Sequence, residues 1–268
     1  MITPPSRWAG LGLRELWEYH ELLYFLTKRD IQIRYKQSIF GVSWAVLQPI
    51  SYAFVFALFF GTLASVPSDG FPYPVFALAA LVPWIFVSSS VTQGAGSLVA
   101  DANLLSKVYF PRLLIPMAKT LSLMLDLLIS IVVLSVMTVV YDASPSIGLV
   151  TVPLLILLAA VMATGAGAGF GALNVMYRDV TVAVPLLIQL WLFASPIAYP
   201  ASLITGGWQY VYALNPMVTI VEGMRWAFLG SDAPSLGVVA CSVIGAVAIL
   251  AVGVVYFRRA ERFFADVI

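Results

Sequence analysis

Side-chain catalysis needs a nucleophile, a base or a metal cage, and this sequence supplies few of them. The one histidine, His20, stands in an amphipathic N-terminal stretch, the setting of a solvated or interfacial imidazole. The one cysteine, Cys241, lies within an apolar run and supports neither a disulfide frame nor a metal cluster. No acidic motif recurs with the spacing of a metal site, so the chain reads as having no catalytic residue and no metal. Glycines at 165, 167, 169 and 171 could suggest a nucleotide loop. GAGFG, however, lacks the spacing and the preceding soluble strand of a dinucleotide fingerprint, and no lysine follows a glycine as a phosphate loop requires. Glycines four apart let helices approach closely, so Gly165 with Gly169, and Gly167 with Gly171, read as packing seams.

Three sets of charged residues remain. Asp126 sits well inside an apolar run, where a carboxylate is by default a functional-site hypothesis, here a proton or ion site. Its other reading is a partner for Lys119 or for a polar group on a neighbouring helix. Glu222 and Arg225 are three residues apart and can pair on one helix face, either as a structural ion pair or at a substrate site. Arg29, Arg34 and Lys36 are placed to make charge-assisted contacts with a phosphate at a membrane surface, although the bias of basic residues toward the cytoplasm explains the same residues.

The elements that must position these groups are membrane helices. Of the 268 residues 61% are hydrophobic and only 10% charged, against about 25% charged in a soluble chain. Val42 to Ala64 holds no charged residue or histidine, and a helix of that length rises ~34 Å across a hydrocarbon core of ~30 Å. The expectation is an all-α integral membrane protein with six spans, at about 42–64, 75–99, 115–141, 149–173, 181–200 and 236–257. Residues 1–41 read as a cytoplasmic amphipathic interface segment and 42–268 as the transmembrane domain. Residues 201–234 contain no clean span and read as short external re-entrant helices. The first long apolar run begins well beyond a signal of roughly 15 to 30 residues, so the start reads as a retained segment. All but one of the 14 lysines and arginines fall before the first run, in or just after the second link, in the fourth link or after the last run; only Arg225 lies on the other side. That imbalance predicts both termini in the cytoplasm. The formal charge of +1 implies no polyanion or nucleic-acid partner.

Within the first run, Trp44, Gln48, Tyr52, Val55 and Phe59 recur at helical spacing and form one stripe of rings and an amide. Such a stripe is either lipid-facing bulk, with Gln48 bonded to a neighbouring helix, or the lining for a ligand with apolar C–H faces and hydroxyls, as a sugar has. Pro49 can kink this helix. The second link, NLLSKVYFPR, is short, amphipathic and basic, suited to docking in a cleft of another protein or to anchoring a helix end at the interface.

Five motifs occur in order along the chain: RDIQIRYKQSIFGVSWAVLQP (29–49), NLLSKVYFPRLLIP (103–116), NVMYRDV (174–180), SPIAYP (195–200) and LNPM (214–217). In them the chain resembles the permease subunits of type-2 ABC exporters for polysaccharides and polyol phosphates, the group that handles O-antigen, galactan, capsule-like polymers and teichoic acids. The resemblance implies a homodimer in the bacterial inner membrane, bound to two copies of a separate ATPase that holds ATP and Mg, with an undecaprenyl-type lipid-linked glycan as substrate. It implies a coupling element at 103–112 that inserts in the ATPase, with Asn103, Leu104, Leu105, Lys107, Tyr109, Phe110 and Arg112. It implies that the first and fifth spans meet around a channel, with Trp44, Gln48, Tyr52, Phe56, Phe59, Trp191, Phe193 and Tyr199 as its lining, and that short helices before the last span, with Glu222 and Arg225, close the external end. A lipid pyrophosphate would meet Arg29, Arg34 and Lys36. The alternatives are a type-2 exporter of a small lipid or drug, and an ion-coupled secondary transporter that uses Asp126.

Overall fold

The computed structural model describes residues 17–36, 41–105, 107, 110–262 and 264. The first helix, α1 (His20–Lys36), carries the charged amphipathic stretch. Helix α2 (Ser43–Phe56) follows and continues as a π-helical turn, Ala57–Leu63. Then come α3 (Tyr73–Ala100), the single turn α4 (Ala102–Leu105) and α5 (Leu114–Val140). After a 3-10 turn, Ile147–Thr151, comes α6 (Val152–Met176), then α7 (Val180–Phe193). The short α8 (Trp208–Tyr212), α9 (Met217–Leu229) and α10 (Leu236–Glu261) complete the order. Among the described residues five helical stretches are long and apolar enough to cross a membrane: Ser43–Leu63, Tyr73–Ala100, Leu114–Val140, Ile147–Met176 and Leu236–Glu261.

The bundle is built around α3. Its apolar residues run round the whole helix, and Val75 to Trp84 is buried without interruption, as expected for a helix with neighbours on all sides. Helices α5 and α6 pack along it, with α2 and α9 on its remaining flanks. Close approach depends on glycine. A Cβ at Gly94 of α3 would lie 2.9 Å from the Gly167 Cα, and one at Gly171 would lie 2.9 Å from the Gly94 carbonyl oxygen. On another face of α6, a Cβ at Gly169 would lie 3.2 Å from the Gly253 Cα of α10, and Gly165 abuts Leu250. The glycine run therefore serves two neighbours at once, one for each pair of glycines.

The run expected to span at 181–200 is helical only to Phe193. Fourteen residues rise ~21 Å, short of a ~30 Å core. Residues 194–200 continue as irregular backbone, in which Ser195, Pro196, Ile197, Ala198 and Pro200 are buried. Irregular backbone survives at such depth only where its polar groups find partners, and here side chains supply them. Asn215 Nδ2 donates to the Ala194 carbonyl (3.1 Å), Tyr73 Oη to that of Ala198 (2.6 Å), and Arg225 to those of Ile197 (3.2 Å) and Tyr199 (3.4 Å). Helix α9, nearly all of it buried, is the platform for this segment and ends at Gly230 in the left-handed region (φ 74°).

Candidate functional site

The basic ends of the helices gather into a charge cluster. Arg29 of α1 contacts Asp30 (2.9 Å) and, across the gap to the end of α3, Asp101 (3.0 Å). Lys119 of α5 reaches Asp30 (2.9 Å) and Asp101 (3.4 Å). Asp30 keeps only 6% of its side chain exposed, so its charge depends on these cations. Burial alone would lower the Arg29 pKa, but hydrogen bonds to Asp101 and Asp30 outweigh it and hold the group above its ordinary value. Lys119 is thus committed to Asp30 and Asp101 and is not the partner of Asp126, which corrects one of the two structural readings of that carboxylate. Asp126 pairs with Arg34 of α1, whose other terminal nitrogen donates to Gln93 Oε1 of α3 (2.8 Å). The polar group on a neighbouring helix is an arginine 92 positions away.

The same contacts involve two of the three residues expected at a phosphate site. Arg29 and Arg34 are both engaged by carboxylates, and Lys36 is the exposed cation of the three.

Asp101 is also the residue from which the short link starts. Its amide donates to the Ser97 carbonyl, and its own carbonyl accepts from Leu104 and Leu105, which folds the chain into α4. Asn103 and Lys107 are exposed, whereas Leu104 and Leu105 are half-buried. Two members of the expected docking set point elsewhere. Phe110 is buried against a second apolar cluster with Leu26, Leu98 and Phe257. Arg112 donates to the Glu261 carbonyl at the end of α10 (2.8 Å) and lies over the Phe264 ring. These two anchor the link, and among its described residues Asn103 and Lys107 are the exposed ones. Tyr109, with Ser106 and Val108, lies outside the described residues, as do 1–16 and 37–40 of the interface segment.

The stripe on α2 and its π-helical continuation is exposed on the chain, with Trp44 and Gln48 at its start also facing a cavity between α1, α2, α3 and α5. Small residues, Ala45, Pro49 and Ala53, form the buried face, while Trp44, Gln48, Tyr52, Val55 and Phe59 are exposed, with Trp44 at 55%. Phe193 of α7 is likewise exposed. Phe56 is half-buried and meets the Phe60 ring at a tilt of 38° (5.2 Å). Trp191 turns inward: its ring meets Trp84 edge-on (5.6 Å) and its Nε1 donates to Asn215 Oδ1 (3.0 Å). Tyr199 is half-buried, its hydroxyl 3.0 Å from those of Tyr212 and 3.0 Å from the Phe193 carbonyl.

At the opposite end Arg225 is fully buried, its guanidinium 3.6 Å above the Phe76 ring and paired with Glu222 (2.7 Å). Glu222 also accepts from the Ala201 amide (3.2 Å). The pair braces the loop that follows α7. Beside it opens a vestibule of about 770 Å³ lined by Asp69, Gln209, Tyr212, Glu222 and Asp232.

Residues 21–229 match the family described as ABC-2 type transporter. The chain belongs to that family. It is thus the membrane permease of an ABC exporter, a transport subunit of a family that works with a separate ATPase. It is similar to the O-antigen export system permease protein RfbA of Myxococcus xanthus, 29% identical over 94% of this chain and 97% of the relative. RfbA of Klebsiella pneumoniae is 27% identical over 92% and 95%, and the polysialic acid transport protein KpsM of Escherichia coli is 26% identical over 76% and 80%. Among the described residues of this permease no group of three or more His, Cys, Asp or Glu is placed to hold a metal ion.

Sequence reasoning missed Asp30, Asp101, Gln93, Tyr73 and Asn215. Only Asn215 carried a local signal: in LNPM it stands one residue before Pro216, where its side chain accepts the Met217 amide (3.1 Å). The others read as ordinary polar residues because their partners are remote in sequence.

Proposed function

We propose that this permease forms the channel of an ATP-driven exporter that carries a lipid-linked polysaccharide, of O-antigen, galactan or teichoic acid type, across the bacterial inner membrane. The observation that carries this reading is the exposed stripe of Trp44, Gln48, Tyr52 and Phe59 on α2 and its π-helical continuation, in a chain that aligns nearly end to end with O-antigen permeases. Rings and an amide left uncovered by one subunit suit a homodimer in which two such faces enclose a conduit. Rings meet the C–H faces of sugars and an amide meets their hydroxyls, each contact weak enough to release.

In this reading α7 together with 194–200 makes the sixth crossing, residues 201–234 dip in from the external face, and both termini are cytoplasmic. Two ATPase subunits engage the 103–112 element chiefly through Asn103 and Lys107. ATP binding in them shifts an equilibrium between closed and open conduits. Asp101 transmits the shift, because its carboxylate holds both α1 and α5. Lys36, exposed at the end of α1, meets the lipid pyrophosphate, while Glu222 and Arg225 stabilise the external closure.

Export measured in cells tests this reading. Joint alanine substitution of Tyr52 and Phe59 should abolish polymer export while the ATPase still co-purifies, because both side chains are exposed on the chain that carries them. Undiminished export would overturn the lining. The ion-coupled reading of Asp126 predicts transport independent of the ATPase; transport that stops when the ATPase phosphate loop is inactivated decides against it.

A further inference from the structure

Between α1, α2, α3 and α5 lies a cavity of about 220 Å³, which shares Trp44 and Gln48 with the stripe and is otherwise lined by residues behind it. One side is polar: Arg34, Tyr35, Gln48, Ser89, Gln93 and Asp126. The other is apolar, with Trp44, Phe86, Leu123 and Leu127. Two buried polar atoms there, Asp126 Oδ1 and the Tyr35 hydroxyl, have no hydrogen-bond partner. Leaving such a group unpaired costs roughly 1–3 kcal/mol, so each atom calls for an occupant.

The charges decide what the occupant is. Arg34 and Asp126 neutralise each other and Arg34 donates its second terminal nitrogen to Gln93, so among the described residues the cavity holds no free cation. What it leaves open is a carboxylate oxygen, which accepts only, and a phenol, which does either. An anionic headgroup would find no unpaired cation there and would meet Asp126 Oδ1, an oxygen that accepts and cannot donate to it. A neutral molecule with several hydroxyls donates to Asp126 Oδ1, exchanges a hydrogen bond with Tyr35 and Gln48, and lays an apolar face on the opposite wall. We infer that this cavity is a binding subsite for a single pyranose ring, reached from the stripe through Trp44 and Gln48 and separate from any phosphate contact. The inference rests on the polysaccharide reading above and names where one sugar docks at the Arg34 end of the bundle.

The test uses the permease in complex with its ATPase, reconstituted in nanodiscs. The probe is octyl β-D-glucoside carrying a diazirine on the sugar, with octyl phosphate carrying the same group as the second arm. After irradiation, peptide mass spectrometry should find the glucoside on 34–48, 85–93 or 123–130, and excess unmodified octyl glucoside should displace it. Tyr35→Phe, which removes only the unpartnered hydroxyl, should cut labelling roughly two- to ten-fold with an unchanged unfolding midpoint. Asp126→Asn should cut it at least as far; because it also loosens Arg34, its midpoint is read alongside. Labelling by the phosphate probe at equal yield, no labelling of these peptides, or full labelling of Tyr35→Phe would each overturn the subsite. If labelling fails while the ring variants still abolish export, the subsite falls and the proposed function stands. If the glucoside labels these peptides but the ring variants export normally, the reverse holds.

Discussion

Replacing Arg225 by methionine keeps most of the apolar volume of the side chain and removes its guanidinium. The loss is specific. Glu222 forfeits a 2.7 Å partner, the carbonyls of Ile197 and Tyr199 lose their donor, and the face of Phe76 loses a cation 3.6 Å away. Glu222 is 16% exposed and retains the Ala201 amide, so water and that hydrogen bond recover part of its solvation. Breaking a buried ion pair from one side costs about 3–5 kcal/mol, a range that already includes the orphaned acceptor. At 2–4 °C per kcal/mol for a chain of roughly this size, the unfolding midpoint should fall by roughly 10 °C. The assay is thermal unfolding of the purified complex, followed by fluorescence-detected size exclusion after graded heating. Arg225→Lys should lose less, because it keeps the charge but cannot fork to Glu222 and two carbonyls at once. Exchanging both members for apolar residues, Arg225→Met with Glu222→Leu, should recover part of the loss of the single variant. A midpoint for Arg225→Met within about 2 °C of the parent would refute the claim that this guanidinium holds the broken segment in place.

Two further outcomes follow from the same geometry. Lys107→Glu should reduce co-purification of the ATPase without moving the unfolding midpoint, whereas Arg112→Glu should lower the midpoint first, since Arg112 holds the end of α10; equal effects of the two on ATPase binding would place both in the docking surface. Gly167→Val should prevent α6 from seating on α3, because even a Cβ there lies 3.3 Å from the Gly94 Cα; overpacking of about 1–3 kcal/mol or more is expected, read as a fall in monodisperse yield.

Sequence alone was sufficient for whatever depends on a run of neighbouring residues. The apolar stretch after Gly41, the amphipathic charge of α1, the stripe of rings on α2 and the glycine seams of α6 each arise from side chains that share one helix, and a helix brings its own residues into register by geometry alone. The relative placement of helices is a different quantity. Asp126 could not be matched with Arg34 from spacing, nor Lys119 with Asp30 and Asp101, because these pairs form only once α1, α3 and α5 pack together. Hydropathy likewise counted 181–200 as one span, since Ser195 to Pro200 is apolar enough to be buried; whether buried backbone must stay helical depends on who satisfies its carbonyls. Tyr73, Asn215 and Arg225 do so from elsewhere in the chain, and that freed the segment to leave the helix. Apolar length determined which parts of this protein enter the bilayer, and contacts between remote polar groups decided how they stand within it.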